Sequence, residues 1–195
     1  IFGYVNSSIS SDYYQFSKET REAAAAGSSL GTQKAFIESS KAWLPSFKFL
    51  GMAMTLGGVT FLLATILGAL CTGGGRLQEA LGVSVRIIKP PMTARTFPVL
   101  MMMGMMILIA SLIIAIVVAT ISYVYWNPSI ATELNPAAAG GQLLGSLSTI
   151  NTVNAWLAPF KFVGIASLLT GIGLALATIV RVLRWQSERL WDVLS

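Results

Sequence analysis

The sequence predicts an all-α integral membrane protein: a helical bundle with three complete transmembrane helices plus the end of a fourth at the N-terminus, built from two parallel internal repeats. Three observations predict it. Of the 195 residues, 54% are hydrophobic and only 11% charged, and the mean hydropathy is +0.71. That leaves too little polar surface to cover a soluble globule. Long apolar intervals carry no charge, between Lys48 and Arg76, between Thr96 and Thr132, and between Lys161 and Arg181. Finally, Ala42-Trp43-Leu44-Pro45-Ser46-Phe47-Lys48-Phe49-Leu50-Gly51 recurs 113 positions later as Ala155-Trp156-Leu157-Ala158-Pro159-Phe160-Lys161-Phe162-Val163-Gly164. The match runs on to Leu63-Ala64-Thr65-Ile66 against Leu176-Ala177-Thr178-Ile179, with about half the positions identical. Upstream, Ala24-Ala25-Ala26-Gly27 meets Ala137-Ala138-Ala139-Gly140 at the same offset. Shared Trp, Lys and Gly are not what apolar bias alone delivers.

Taken in order, repeat 1 covers about residues 1–72. Tyr4-Val5 and Asn6-Ser7-Ser8-Ile9 resemble Tyr123-Val124 and Asn127-Pro128-Ser129-Ile130, which follow a membrane helix in the second repeat. Ile1 to Val5 therefore reads as the tail of a further span equivalent to residues 97–125, whose earlier part would precede Ile1. An outer segment follows over 6–41; its Glu19 to Ala26 stretch has good helix propensity, and Gly27 is placed to stop it. The first complete span is set at 45–72, since Phe49 to Thr72 alone can cross a ~30 Å hydrocarbon core at ~1.5 Å per residue. Gly73-Gly74-Gly75 is expected to end that helix through left-handed caps. It lacks the Lys-Ser/Thr and the preceding strand of a phosphate-binding loop. The loop 73–96 follows, and its Pro90-Pro91 break precedes the second span.

Repeat 2 covers about 97–183, with a span at 97–126, an outer segment at 127–154 and a span at 158–183. The tail 184–195 reads as an interfacial C-terminal helix, with Leu183, Leu190 and Leu194 on one side and Arg184 and Glu188 on another. The loop 73–96 carries Arg76, Arg86, Lys89 and Arg95 against Glu79, and the tail carries Arg181, Arg184 and Arg189. The positive-inside bias puts both in the cytoplasm of a bacterial-type cytoplasmic membrane and puts 6–41 and 127–154 outside. This also absorbs the net charge of +5 without nucleic acid.

Candidate site residues fall into two sets. Trp43, Lys48, Trp156, Lys161, Trp185 and Trp191 are membrane-interface or lipid contacts, because amphipathic rings favour the headgroup layer and long lysines snorkel to it. Binding of an acidic lipid or acidic partner patch by the two lysines is the functional alternative to plain snorkelling. Thr60, Ala64 and Gly68, then Ser111, Ala115 and Ala119, then Gly173 with Ala177 and Thr170 with Ala166 recur at helical spacing and are read as helix-packing residues. Met101-Met102-Met103-Gly104-Met105-Met106 invites a Cu(I) reading, but consecutive residues point different ways and adaptable packing explains them better.

With no His and one Cys, Cys71, the commonest general base, metal ligand and disulfide framework are missing together. No catalytic residue, metal or cofactor is expected. The function that remains is a non-catalytic accessory or structural subunit of a multi-subunit membrane complex. Its partners would be membrane lipids and other integral membrane subunits, contacted outside through 6–41 and 127–154. The alternative is a small transporter or channel for a neutral solute, opposed by the absence of Asp, Glu or Arg inside the three uncharged intervals.

Overall fold

The computed structural model describes residues 2–25, 27–80, 82, 92–127 and 141–194. Arg86, Lys89, the Pro90-Pro91 break, Glu133 and the Ala137 to Gly140 patch lie outside the described residues. Among the described residues, five helices follow one another: α1 (Phe2–Tyr14), α2 (Lys18–Glu22), α3 (Ser29–Ala80), α4 (Met92–Trp126) and α5 (Gly141–Leu194). No strand occurs among the described residues.

Three of these helices are long and apolar enough to cross a membrane, with candidate segments Ser29–Arg76, Ala94–Trp126 and Leu143–Glu188. The location these helices indicate is a membrane. Two of them far exceed a membrane-length span. α3 has 52 residues and α5 has 54, about 80 Å each at ~1.5 Å per residue. α3 thus begins within the 6–41 segment that the sequence sets outside, and α5 begins within 127–154.

Gly73-Gly74-Gly75 does not end α3. The helix runs through it to Ala80, and the left-handed glycine is Gly82, with φ +66°. Three glycines inside a helix are tolerated because the chain on both sides already holds helical hydrogen bonds, so each costs only about 1 kcal/mol relative to alanine. A β-carbon on Gly73 would meet nothing within 4 Å. Gly73→Ala is therefore expected to raise the melting temperature slightly in a detergent thermal scan. A left-handed cap at this position would lower it instead.

The buried positions recur every seventh residue. On α4 they are Phe97, Gly104, Ser111, Val118 and Tyr125, joined by Leu108, Ala115 and Ser122. On α5 they are Ile150, Leu157, Gly164, Gly171 and Thr178, joined by Lys161, Leu168, Ala175 and Val182. α3 has one such row, Ser46, Ala53, Thr60 and Leu67, beside a mostly half-buried row through Phe49, Leu56, Leu63 and Leu70. A seven-residue repeat is the signature of helices packed at a small crossing angle, knobs into holes.

The chain divides into two compact units. Unit 1 comprises Ile1–Phe49 and Ile109–Lys161. Its core is Ala42, Val118, Ala119, Tyr125 and Ile150, with Trp43, Trp126 and Leu147 packed against them. Lys34 places its ammonium 4.2 Å from the Trp126 ring centroid, fixing the start of α3 beside the end of α4. Unit 2 comprises Leu50–Leu108 and Phe162–Ser195, around Leu67, Phe97, Ala175 and Val182. In unit 2, α3 and α4 are antiparallel, with Gly57 opposite Met101 and Met105 and Leu67 opposite Phe97. α4 and α5 are antiparallel too, with Gly104 opposite Gly164 and Phe97 opposite Gly171.

Candidate functional site

The interactions that tie down the N-terminal part of unit 1 are local. Ser17 caps α2: its Oγ accepts from the Thr20 backbone N–H at 3.2 Å. Glu19 sits in the first turn, where backbone and Ser17 hydrogen bonds hold its carboxyl below the usual carboxylate range. The Arg21 guanidinium stands 5.2 and 5.0 Å from the ring centroids of Tyr13 and Tyr14, linking α2 back to α1. α2 ends at Glu22, earlier than the helix propensity of Glu19 to Ala26 suggests, and Gly27 beyond it has φ +73°. A carboxyl depressed in the fold adds stability above its unfolded pKa and loses it as pH falls through the folded value. Acidification below about pH 4 is expected to loosen α2. Ser17→Ala should do so at neutral pH by about 1 kcal/mol. Amide exchange at Thr20 and Arg21 reads both effects.

The paired aromatics keep one geometry in both halves of the chain. Trp43 and Phe47 meet edge to face at 5.9 Å, and Trp156 and Phe160 do so at 5.7 Å. The two lysines differ. Lys48 is exposed, whereas Lys161 is only 7% exposed, its ammonium 5.9 Å from the Phe49 ring centroid. No carboxylate pairs with Lys161 among the described residues. Trp185 is half-buried and Trp191 is 73% exposed. The ion pairs Lys18–Glu22 and Arg184–Glu188 are exposed and contribute little.

The small residues read as packing positions divide by direction. Thr60, Ser111, Ala115 and Ala119 are buried within the chain. Ala64, Gly68, Ala166, Thr170, Gly173 and Ala177 face outward, and a β-carbon on Gly68 or Gly173 would meet nothing within 4 Å. The tightest helix contact lies elsewhere. A β-carbon on Gly104 would stand 2.8 Å from the Gly164 carbonyl oxygen and 2.9 Å from Leu168 Cγ; one on Gly164 would stand 2.8 Å from Leu108 Cγ. Gly171 lies against the Phe97 carbonyl, 3.4 Å from its built β-carbon. These glycines let the backbones of α4 and α5 touch, which replaces the hydrophobic drive that lipid cannot supply. Sequence reasoning passed over Gly104 because it sits inside the methionine run. The seven-residue rows through Gly104 and through Gly164-Gly171 are the signal that finds them.

Met101 and Met105 close over Gly57, while Met102, Met103 and Met106 are exposed. The run is therefore split across helix faces, as the spacing requires. At the far end of unit 2, Gln186 Nε2 donates to the Leu70 carbonyl at 2.9 Å and rests over Gly74. Gly74 leaves room for that amide. Cys71 is half-buried and carries no disulfide.

No group of three or more His, Cys, Asp or Glu residues able to hold a metal exists among the described residues. What the arrangement offers chemically is packing surface: glycine crossings inside, and exposed faces that differ in grain outside. The outward face of α4 is bulky, with Val99, Met102, Met106, Ile113 and Ile116, whereas those of α3 and α5 are interrupted by Gly, Ala and Thr. No protein-family model, curated protein or solved structure matches the chain.

Proposed function

We propose that the chain is a non-catalytic subunit of a multi-subunit membrane complex, built as two parallel hairpin repeats, that supports assembly and lipid packing. The loop 73–96 and the C-terminus are cytoplasmic; 6–41 and 127–154 are extracytoplasmic and meet other integral subunits. The observation that carries this reading is the surplus length of α3 and α5, which a span of about 20 residues does not need. Unit 1 holds part of that surplus and leaves Tyr4, Tyr14 and Phe16 exposed. Aromatic rings left in the open are the residue type that anchors protein interfaces.

Several hydroxyls inside the helices are used locally. Thr60, Ser167 and Thr178 donate to the carbonyls of Leu56, Val163 and Leu174 in their own helices at 3.1, 2.9 and 2.7 Å, so their protons are already engaged. Photo-crosslinking tests the subunit reading. Benzophenone side chains placed at Tyr14 and Phe16 in native membranes are expected to capture one discrete membrane protein. Labelling of lipid alone at both positions contradicts the reading.

A further inference from the structure

Unit 1 buries two polar groups, Ser46 and Lys161, on neighbouring helices. Ala42, Ser46 and Phe49 follow one another at four and three residues and so share one face of α3. Above and below Ser46 that face meets α5: Ala42 lies in one core cluster with Ile150, and the Phe49 ring centroid is 5.9 Å from the Lys161 ammonium. Ser46, between them, is fully buried. Ile150, Leu157 and Lys161 lie along one buried row of α5.

Neither polar group is satisfied. Ser46 Oγ has no hydrogen-bond partner, although Thr60, Ser167 and Thr178 each turn their hydroxyl onto a carbonyl of their own helix. Lys161 offers three N–H donors. Among the described residues its ammonium meets the Phe49 ring and no carboxylate. A ring face attracts the charge but leaves the donors without a lone pair. A negatively charged group with several acceptor oxygens would satisfy the ammonium and the hydroxyl together, and a phosphate diester is such a group.

The duplication does not double this arrangement. At the 113-residue offset Lys161 corresponds to Lys48, which is exposed, and Ser46 corresponds to Pro159, which has no hydroxyl. Phe47 and Trp156, close by in sequence and both in unit 1, are exposed where the apolar stretches of α3 and α5 begin. Rings at that depth favour the headgroup layer, which points to a lipid and not to a partner's carboxylate.

We infer that Lys161 and Ser46 hold the phosphate of one anionic phospholipid per chain. The inference rests on the membrane-subunit reading and gives its lipid-packing part a ligand. A net negative headgroup is needed because a zwitterionic one brings its own ammonium, whereas the Lys161 charge is what lacks a counterpart.

Native mass spectrometry tests it on the full chain, stripped of lipid in detergent and titrated with phosphatidylglycerol, phosphatidylcholine or inorganic phosphate. One phosphatidylglycerol per chain is expected to bind roughly tenfold more tightly than phosphatidylcholine, the size of one charge-assisted hydrogen bond. Lys161→Met is expected to abolish the preference and Ser46→Ala to weaken it about threefold. Lys41→Gln, at an exposed lysine paired with Glu38, is expected to leave it unchanged. Ser46→Ala removes a single oxygen, so it decides the matter even if Lys161→Met does not fold. Unchanged affinity in either folded variant overturns the inference, and so do two equivalent phosphatidylglycerols per chain. Displacement of the lipid by millimolar inorganic phosphate assigns the site to a free ion. A carbodiimide cross-link from Lys161 to an Asp or Glu of a copurifying protein assigns it to a partner's carboxylate. Both results overturn the lipid while leaving the subunit reading in place. A chain that is monomeric in native membranes yet keeps its one lipid does the reverse.

Discussion

Gly104→Ala is expected to destabilise the chain by about 1–3 kcal/mol, the range for overpacking a close contact, and Gly104→Leu to prevent α4 and α5 from packing at all. The new β-carbon would lie 2.8 Å from the Gly164 carbonyl oxygen and 2.9 Å from Leu168 Cγ. Leu168 can turn away, but a helical carbonyl cannot move without its helix. The gain in helix propensity from removing a glycine, about 1 kcal/mol, opposes this only in part. Gly164→Ala should act in the same direction but less strongly, because its β-carbon would meet side-chain atoms, Leu108 Cγ at 2.8 Å and Ile107 Cγ2 at 3.2 Å, and not a carbonyl. Gly145→Ala, inside α5 where nothing lies within 4 Å, is the control and is expected to gain slightly in stability from helix propensity alone. Thermal unfolding in detergent, followed by the circular dichroism of Trp and Tyr, ranks the three. A stable Gly104→Ala protein would mean that α4 and α5 do not approach this closely.

Lys161→Met is expected to raise the stability of the isolated chain by on the order of 1 kcal/mol or more, since burying an ammonium without a carboxylate is costly. Lys161 is 7% exposed, and the contact that offsets its burial is the Phe49 ring at 5.9 Å, which contributes about 0.5–2 kcal/mol. Methionine fills a similar volume without the charge. Lys48→Met at the exposed counterpart should change stability by less than about 0.5 kcal/mol. A residue kept at a cost to the fold is kept for something outside it. Lys161→Met is therefore expected to reduce recovery of the assembled complex, or of bound anionic lipid, while the chain itself melts higher. A lower melting temperature with unchanged assembly would make Lys161 an ordinary structural contact.

Much of the architecture was legible in the sequence, because hydropathy reports transfer into an apolar medium directly. α4 runs Met92–Trp126 where the uncharged interval and its flanking prolines set a span at 97–126. Hydropathy reported less about α3 and α5. Their helices continue through Ser, Thr, Gln and Lys beyond the apolar stretch, where the helical signal is the seven-residue row of buried positions and not hydropathy. Gly73-Gly74-Gly75 misled for a related reason. Glycine marks a helix end only when the backbone after it turns, and here the turn comes at Gly82. Among the residues read as packing positions, Thr60, Ser111, Ala115 and Ala119 are buried. Ala64, Gly68, Gly173 and Ala177 face outward, because small residues occur on more than one face of these helices and composition does not choose the phase.

The central claim is that this chain works by being held in an assembly. The most direct measurement is the mass and composition of the particle that contains it when native membranes are solubilised mildly and the chain is captured through its C-terminus. The account expects a particle well above the 20.8 kDa of these 195 residues, with at least one other integral membrane protein in fixed proportion. Recovery of the chain only as a free monomer, with no protein in fixed proportion across several mild detergents, would contradict it.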